Sequence, residues 1–496
     1  MPRHTLRFFV ALLAFVAAVE PVCAQSAEAA AARAQGHLAE HPRVAEALGL
    51  LETWLASRIE YQDIPGLSVA VVHDQEMIWS GGLGYADVAR KTPASAQTIY
   101  SICSISKLFT SIALMQQRDA GRVRLDDPVS QHLPWFRIHQ THQEAPPVRI
   151  EGLLTHSSGL PRESDFPYWS EPDFRFPTRD EVMKRVAEQH TLYPSERWFQ
   201  YSNLGFTLAG EIVSAVSGQA YDAYVRQHIL QPLGLDDTSP DIPAAETGKR
   251  LATGYGRRMQ GAHRDVLPFY QVRGVAPAAG FASTAEDLAR FASWQFRLLG
   301  KGGQEVLDAN TLREMQRVHW VDPDWRATWG LGFSIVRDGQ DTFVGHGGSC
   351  PGYQTHLTLH PRDRVAMIVM SNASGVDVSM LANRAYRIMA PALKRATSDS
   401  TARKPVDASL DAYLGYYRGF WGDATVIRWE GDLAMVSMPT DDPVAAIERL
   451  RKTGDHTFRR IRKEDESLGE EFAFEIGADG KATRFVRHSN PMARIR

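Results

Sequence analysis

The stretch Ser104-Ile105-Ser106-Lys107-Leu108-Phe109-Thr110-Ser111-Ile112-Ala113 decides how the chain is read. It opens a helical segment, Ser104 to Ala120, that stops at Gly121, a residue suited to a helix C-terminus. Ser104 and Lys107 stand three apart and therefore share one helical face. A serine hydroxyl is a poor nucleophile at neutral pH, but an adjacent amine of lowered pKa can take its proton. The helix N-terminus adds positive potential where an oxyanion would form. Of the ten lysines, only Lys107 has a serine three residues before it. Alone, the pair also fits a solvated Ser and Lys on an ordinary helix.

Two further motifs follow in order. Tyr201-Ser202-Asn203 precedes an apolar run from Leu204 to Ile212. A phenol near ammonium groups can relay protons, and an Asn amide can donate to and accept from a substrate amide. The same triplet also fits a helix cap. His346-Gly347-Gly348-Ser349 ends a predicted strand over Thr342–Gly345. Paired glycines allow a substrate to lie along that strand as an added edge, and His346 offers a proton or positive charge near pH 6.5.

Working outward, His41 to Tyr61 has helical spacing, Leu67 to Val72 reads as a buried strand, and Gln75 to Gly84 as its hairpin partner. Residues 150–320 read as mainly helical. Strands return at Gly332–Arg337, Gln354–His360 and Val365–Ser371. Strands at both ends of a helical middle predict a mixed α/β domain whose sheet uses both chain ends. Residues 395–407 are polar and read as a linker. Residues 408–496 read as a small all-β barrel-like or sandwich domain, with hairpin turns at Glu430-Gly431-Asp432 and Ala478-Asp479-Gly480.

Arg3, His4 and Arg7, the apolar run Phe8–Val19 and the small residues Val22-Cys23-Ala24 form a three-part export signal over residues 1–24. The apolar run is too short to span a bilayer, which takes about 20 residues. The mature chain, residues 25–394 plus the appendage, is expected in a secreted or periplasmic, disulfide-permitting compartment. The 496 residues are 44% hydrophobic and 23% charged, which excludes wholesale disorder and fibrous structure. Their net charge of −3 gives no reason to expect nucleic acid or an anionic membrane as partner. His37-Leu38-Ala39-Glu40-His41 matches a zinc pattern, but Pro42 interrupts the helix it needs, and no metal or cofactor is expected. His346-Gly347-Gly348 has no G-x-S-x-G elbow to accompany it as an α/β-hydrolase would. Trp169, Phe174 and Phe176, among Pro167, Pro172 and Pro177, fit either a mobile lid or an aromatic-anchored loop.

Together the three motifs resemble the serine β-lactamases and D-Ala-D-Ala peptidases, above all the class C branch with its esterase and D-aminopeptidase relatives. Ile150 to Pro161 (IEGLLTHSSGLP), Gln231 to Leu235 (QPLGL) and Gly280 to Leu288 (GFASTAEDL) are similar to further segments of that family. The resemblance spans about residues 45–390. It implies a β-lactamase/transpeptidase-like fold: an antiparallel sheet flanked by helices, with a helical subdomain. It makes Ser104 the acylated nucleophile, with Lys107 and Tyr201 sharing proton transfer and the choice of base left open. Asn203 orients Lys107 and the substrate amide, and the backbone N–H groups of Ser104 and Ser349, beside Gly348, form the oxyanion hole. His346 stands where many β-lactamases carry the lysine of Lys-Thr-Gly, which turns the reading toward peptidases and esterases. The expected function is an exported serine hydrolase acting on a small-molecule or peptide substrate, an ester or an amide, D-amino-acid peptides included. The alternatives are a true β-lactamase and a non-catalytic penicillin-binding sensor or assembly protein. The resemblance also implies a Cys103–Cys350 disulfide, because certain class A relatives bridge the matching positions. The C-terminal domain is expected to stabilise the chain or to reach the active-site mouth.

Overall fold

The computed structural model describes residues 38–259, 263–325, 327–398 and 407–495. The expected export signal, His37 and residues 399–406 of the expected linker lie outside the described residues. Helix α1, Pro42–Gln62, starts where the His41 side chain accepts from the Arg43 N–H and Pro42 pre-sets the first turn. It ends at Asp63, in left-handed conformation. Strands β1 (Gly66–His73), β2 (Glu76–Asp87) and β3 (Thr92–Pro93) follow. The helical middle carries α2 (Ser106–Asp119), α3 (Ile150–Thr155), α4 (Asn203–Ser217) and α5 (Ala285–Lys301). The sheet resumes with β4 (Trp320–Val321), β5 (Thr328–Trp329), β6 (Ser334–Asp338), β7 (Asp341–Cys350), β8 (Tyr353–His360) and β9 (Val365–Ser371). Helix α6, Val378–Ser398, closes this part.

The nine strands form one sheet in the order β3-β2-β1-β9-β8-β7-β6-β5-β4. The first strand of the domain thus pairs antiparallel with the last, Leu67 opposite Ser371 and His73 opposite Val365. β1 is central and buried on both faces, hence its near-continuous apolar run. Its alternate residues serve two cores. Leu67, Val69 and Val71 join the buried cluster that includes α1 and α6, while Ala70 and Val72 join the one that includes α2, α4 and α5. This is the mixed α/β arrangement, an antiparallel sheet flanked by helices, that the resemblance implies.

The C-terminal unit is a closed eight-stranded barrel. Its strands are β10 (Gly415–Gly419), β11 (Gly422–Trp429), β12 (Asp432–Met438), β13 (Ile447–Gly454), β14 (Thr457–Ile461), β15 (Leu468–Ile476), β16 (Ala482–Arg487) and β17 (Asn490–Arg494). Pairing of Tyr417 with Arg494 and of Arg418 with Ala493 closes it. Tyr417, Phe458, Phe472, Phe474 and Phe485 fill its interior. The β11–β12 turn places Glu430 and Gly431 at positive φ, as a tight hairpin of that twist requires.

Four details differ from the sequence reading. The helix predicted from Ser104 begins with a 3₁₀ turn, Cys103–Ile105, and becomes α-helical only at Ser106. β7 does not end at Gly345 but runs through the His346–Ser349 motif to Cys350, because β8 pairs with it over that whole length. Residues 395–398 belong to α6 rather than to a linker. The barrel also does not reach the mouth of the Ser104 cleft. It seats on α1 and α6, behind the sheet: Trp54 Nε1 donates to Thr440 O at 2.9 Å, Tyr61 to Asp423 Oδ2 at 2.8 Å, and Arg384 to Asp442 Oδ2 at 2.6 Å. Tyr416, Ile427, Val436, Met438 and Ile447 join Leu51 and Trp54 in one buried cluster.

Candidate active site

The turn before α2 sets the site. Cys103 has a φ of 51°, an uncommon conformation for a side-chain-bearing residue. Ser106 fixes the turn, its hydroxyl donating to Cys103 O and accepting from Phe281 N–H at 2.9 Å. Ser104 is thereby left half-buried at the mouth while Lys107 is fully buried one turn on. Lys107 Nζ lies 3.2 Å from Ser104 Oγ. It donates to Asn203 Oδ1 and to Ala278 O, each at 2.7 Å. Burial holds the amine well below the usual lysine value; the charge of Glu163 works against this and that of Arg162 with it.

Ser202 caps α4, its hydroxyl accepting from Gly205 N–H at 2.9 Å and donating to Pro161 O at 2.7 Å. The cap reading of this triplet therefore holds for Ser202, and it leaves Asn203 free to face Lys107. Tyr201 lies on the other side, its ring centroid 4.9 Å from Lys107 Nζ. Burial raises its phenol well above the usual value, a side-chain hydrogen bond with Ser104 counteracting in part. His156 supports the phenol from behind. It accepts from Ser202 N–H at 3.1 Å and stacks on Tyr201 at 4.1 Å between centroids.

β7 crosses the turn on the sheet side. A Cβ on Gly348 would lie 2.3 Å from both Ile102 O and Thr355 Oγ1, so only glycine lets the strand pass this close to the turn before Ser104. Ser349 is exposed, its hydroxyl accepting from Gln354 Nε2 at 2.8 Å. Cys103 and Cys350 are joined in a disulfide with Cα atoms 5.8 Å apart. This pins the end of β7 to the residue before Ser104.

His346 faces the cleft near Trp329 and Tyr201, with centroids 5.4 and 6.2 Å away. It is 4% exposed. Burial, assisted by the neighbouring Lys107 charge, pushes its pKa down to about 3. The expectation of a positive charge near neutral pH is therefore corrected: a ring shielded from water stays neutral. The catalytic-efficiency ratio between a carboxylate-bearing substrate and its neutral methyl ester should accordingly stay constant from about pH 5 to 8. Steady-state kinetics on such a pair check this; a ratio that falls through pH 6–7.5 would restore the charged histidine.

The open cleft, about 340 Å³, is lined by Ser104, Arg162, Tyr201, His346, Gly348 and Ser349 among others, with no barrel residue. The fold thus brings together every site residue named from the sequence. It adds three that the motifs did not single out. Glu163 accepts from Asn203 Nδ2 at 2.8 Å, Arg162 sits over the Tyr201 ring at 4.8 Å, and His156 lies within the quoted LLTHSSGL segment. Phe174 and Phe176 are buried and the half-buried Trp169 packs edge-on against Phe176, so the aromatic loop is anchored in the fold. Among the described residues no group of three His, Cys, Asp or Glu side chains is arranged to hold a metal, and no helix is long and apolar enough to cross a membrane.

The Beta-lactamase family matches residues 51–390. "Beta-lactamase-like protein 2" of Dictyostelium discoideum is 25% identical over 66% of this chain, and "Protein flp" of Staphylococcus aureus strain MW2 is 25% identical over 67%. These matches take in 60% and 64% of the two relatives' own lengths. Among solved structures, the octameric penicillin-binding protein homologue from Pyrococcus abyssi aligns over 90% of this chain and 100% of its own, with a TM-score of 0.61 and 23% identity. The D-amino acid amidase from Ochrobactrum anthropi SV3, complexed with L-phenylalanine amide, aligns over 71% of this chain and 99% of its own, with a TM-score of 0.58 and 25% identity. The chain belongs to the β-lactamase family, within the serine β-lactamase and transpeptidase superfamily.

Proposed function

We propose that this protein is an exported serine hydrolase that cleaves an ester or amide through an acyl-enzyme on Ser104. One observation carries the reading. A neutral lysine amine has two hydrogens and one lone pair, and both hydrogens of Lys107 have acceptors, Asn203 Oδ1 and Ala278 O. The lone pair is then left for the Ser104 hydroxyl, 3.2 Å away. Burial lowers the pKa of the amine and raises that of the Tyr201 phenol, which supports Lys107 as the base. In this reading the Ser104 proton passes to Lys107 as Oγ attacks the carbonyl carbon. The oxyanion accepts from the backbone N–H groups of Ser104 and Ser349. Tyr201 hands a proton to the departing amine or alcohol and regains one from Lys107. A water molecule then releases the acid and restores Ser104.

The neutral His346, where β-lactamases carry a lysine charge, favours an uncharged amide or ester over a β-lactam carboxylate. The likeness to a D-amino acid amidase supports D-amino-acid amides and peptides as first candidates. The linked Ser104, Lys107 and Asn203 speak against a non-catalytic sensor. Parallel assays of D-phenylalanine amide, a D-Ala-D-Ala peptide, a p-nitrophenyl ester and nitrocefin test the reading, together with the intact mass after treatment with a fluorophosphonate. Turnover of an amide or ester and one adduct on Ser104 are expected. Nitrocefin turnover alone would make the protein a β-lactamase, and no turnover with no adduct would make it non-catalytic.

A further inference from the structure

We propose that Glu163 and Arg162 form a positioning pair: Glu163 fixes the Asn203 amide so that it holds Lys107, and the two opposite charges poise the Lys107 amine to take up the Ser104 proton. The inference rests on the reading above, in which Lys107 is the base.

An Asn side chain presents an oxygen and an NH₂ of nearly the same shape, so nothing in its own chemistry says which end faces Lys107. A carboxylate removes the ambiguity because it only accepts. Asn203 Nδ2 donates to Glu163 Oε1 at 2.8 Å, which turns Oδ1 toward Lys107 Nζ at 2.7 Å. The reversed amide would set oxygen against oxygen at one end and N–H against N–H at the other.

Glu163 is itself held. Tyr168 donates its hydroxyl to Oε2, and Arg162 Nε lies 3.2 Å from Oε1. Tyr168 is 1% exposed and packs against Trp169 and Phe176, and Phe176 stacks on Tyr270. The anchored aromatic loop therefore has a use: it holds the carboxylate that orients Asn203. The backbone carbonyl of Arg162 accepts from Asn203 N–H at 2.8 Å, tying the pair to the first turn of α4.

Ser104, Tyr201, Phe206, His156, His346, Arg162 and Glu163 surround Lys107 from the elements packed on it. Burial keeps His156 and His346 neutral and Tyr201 protonated. Glu163 and Arg162 are then the charged side chains acting on the amine, and they act in opposite directions. A negative neighbour favours the protonated amine and a positive one disfavours it.

The pair can be read in the pH dependence of Ser104 phosphonylation by a fluorophosphonate, a single-turnover probe of nucleophile activation. The rate should rise with pH as Lys107 loses its proton. Glu163→Gln removes the negative charge and should move the midpoint of that rise to lower pH by about one unit. Arg162→Gln removes the positive charge and should move it to higher pH. Glu163→Gln also loosens Asn203 and should slow the plateau rate about 10- to 100-fold. Glu163→Asp, which restores the charge, should bring the midpoint back toward wild type. Midpoints that stay put, or that move in the same direction in both charge-removing variants, would overturn the inference, because a merely structural role has no sign. The Arg162 side chain is more than half exposed, so that variant reads the sign even where Glu163→Gln fails to fold. Labelling of the wild type that is absent at every pH would remove the nucleophile reading and this inference with it. Labelling of the wild type with unmoved midpoints would remove the inference alone.

Discussion

Ser104→Ala should lower turnover of whichever amide or ester the wild type accepts by about 10⁴-fold or more, the scale on which loss of a catalytic nucleophile is felt. Among the described residues, the other two serine hydroxyls beside the site are engaged elsewhere. Ser106 Oγ is committed to Cys103 O and Phe281 N–H, and Ser349 is held by Gln354. Stability should change by less than about 1 kcal/mol, because Ser104 sits at the mouth and Lys107 keeps its two other partners. Lys107→Met makes the contrasting case. It should also stop turnover, but it leaves Asn203 Oδ1 and Ala278 O buried without their donor, at about 1–3 kcal/mol for each. Steady-state kinetics alongside denaturant melts separate the two variants. An alanine variant that still turns over would remove Ser104 from its role.

Removing the disulfide is the second large effect. Cys103 and Cys350 are 247 residues apart in sequence, so the bond withdraws a long loop from the unfolded ensemble. In the chain-entropy account that is about 5.5 kcal/mol. Replacing both cysteines by alanine should lower the urea midpoint accordingly. It should also lower turnover, because the bond joins the residue before the nucleophile to the strand that carries the second oxyanion donor of the proposed mechanism. Equal midpoints and equal rates with and without the bond would show that the turn and β7 hold their places unaided.

The sequence made some of this legible because the physics was local. Ser104 and Lys107 share a helical face at any burial, and Ser202 caps whatever helix follows it. The roles of Tyr201 and Asn203 and the pairing of the cysteines became readable only through family resemblance, since nothing local brings residue 103 to residue 350. Glu163 had no signal of its own. A lone carboxylate in a loop acquires meaning only when folding sets Asn203 beside it. The charge of His346 was misread for a related reason: a reference pKa assumes water, and the water is removed by Trp329 and Tyr201, residues distant in sequence. The end of α6 was misread because Arg395, Thr397 and Ser398 are polar, although the buried face of Ile388, Met389, Ala392 and Leu393 carries the helix past them.

The pairing of β1 with β9 sets an order of assembly. A nascent chain has made its central strand by residue 73 but cannot pair that edge until residue 371 exists. Contacts of such long range make folding slow and leave a sticky edge open meanwhile. The barrel arrives last and grips α1 and α6, the first and last helices of the α/β part. It acts as a latch across a seam that joins the beginning of the domain to its end. The proposed chemistry at Ser104 thus depends on a closure made on the far side of the sheet.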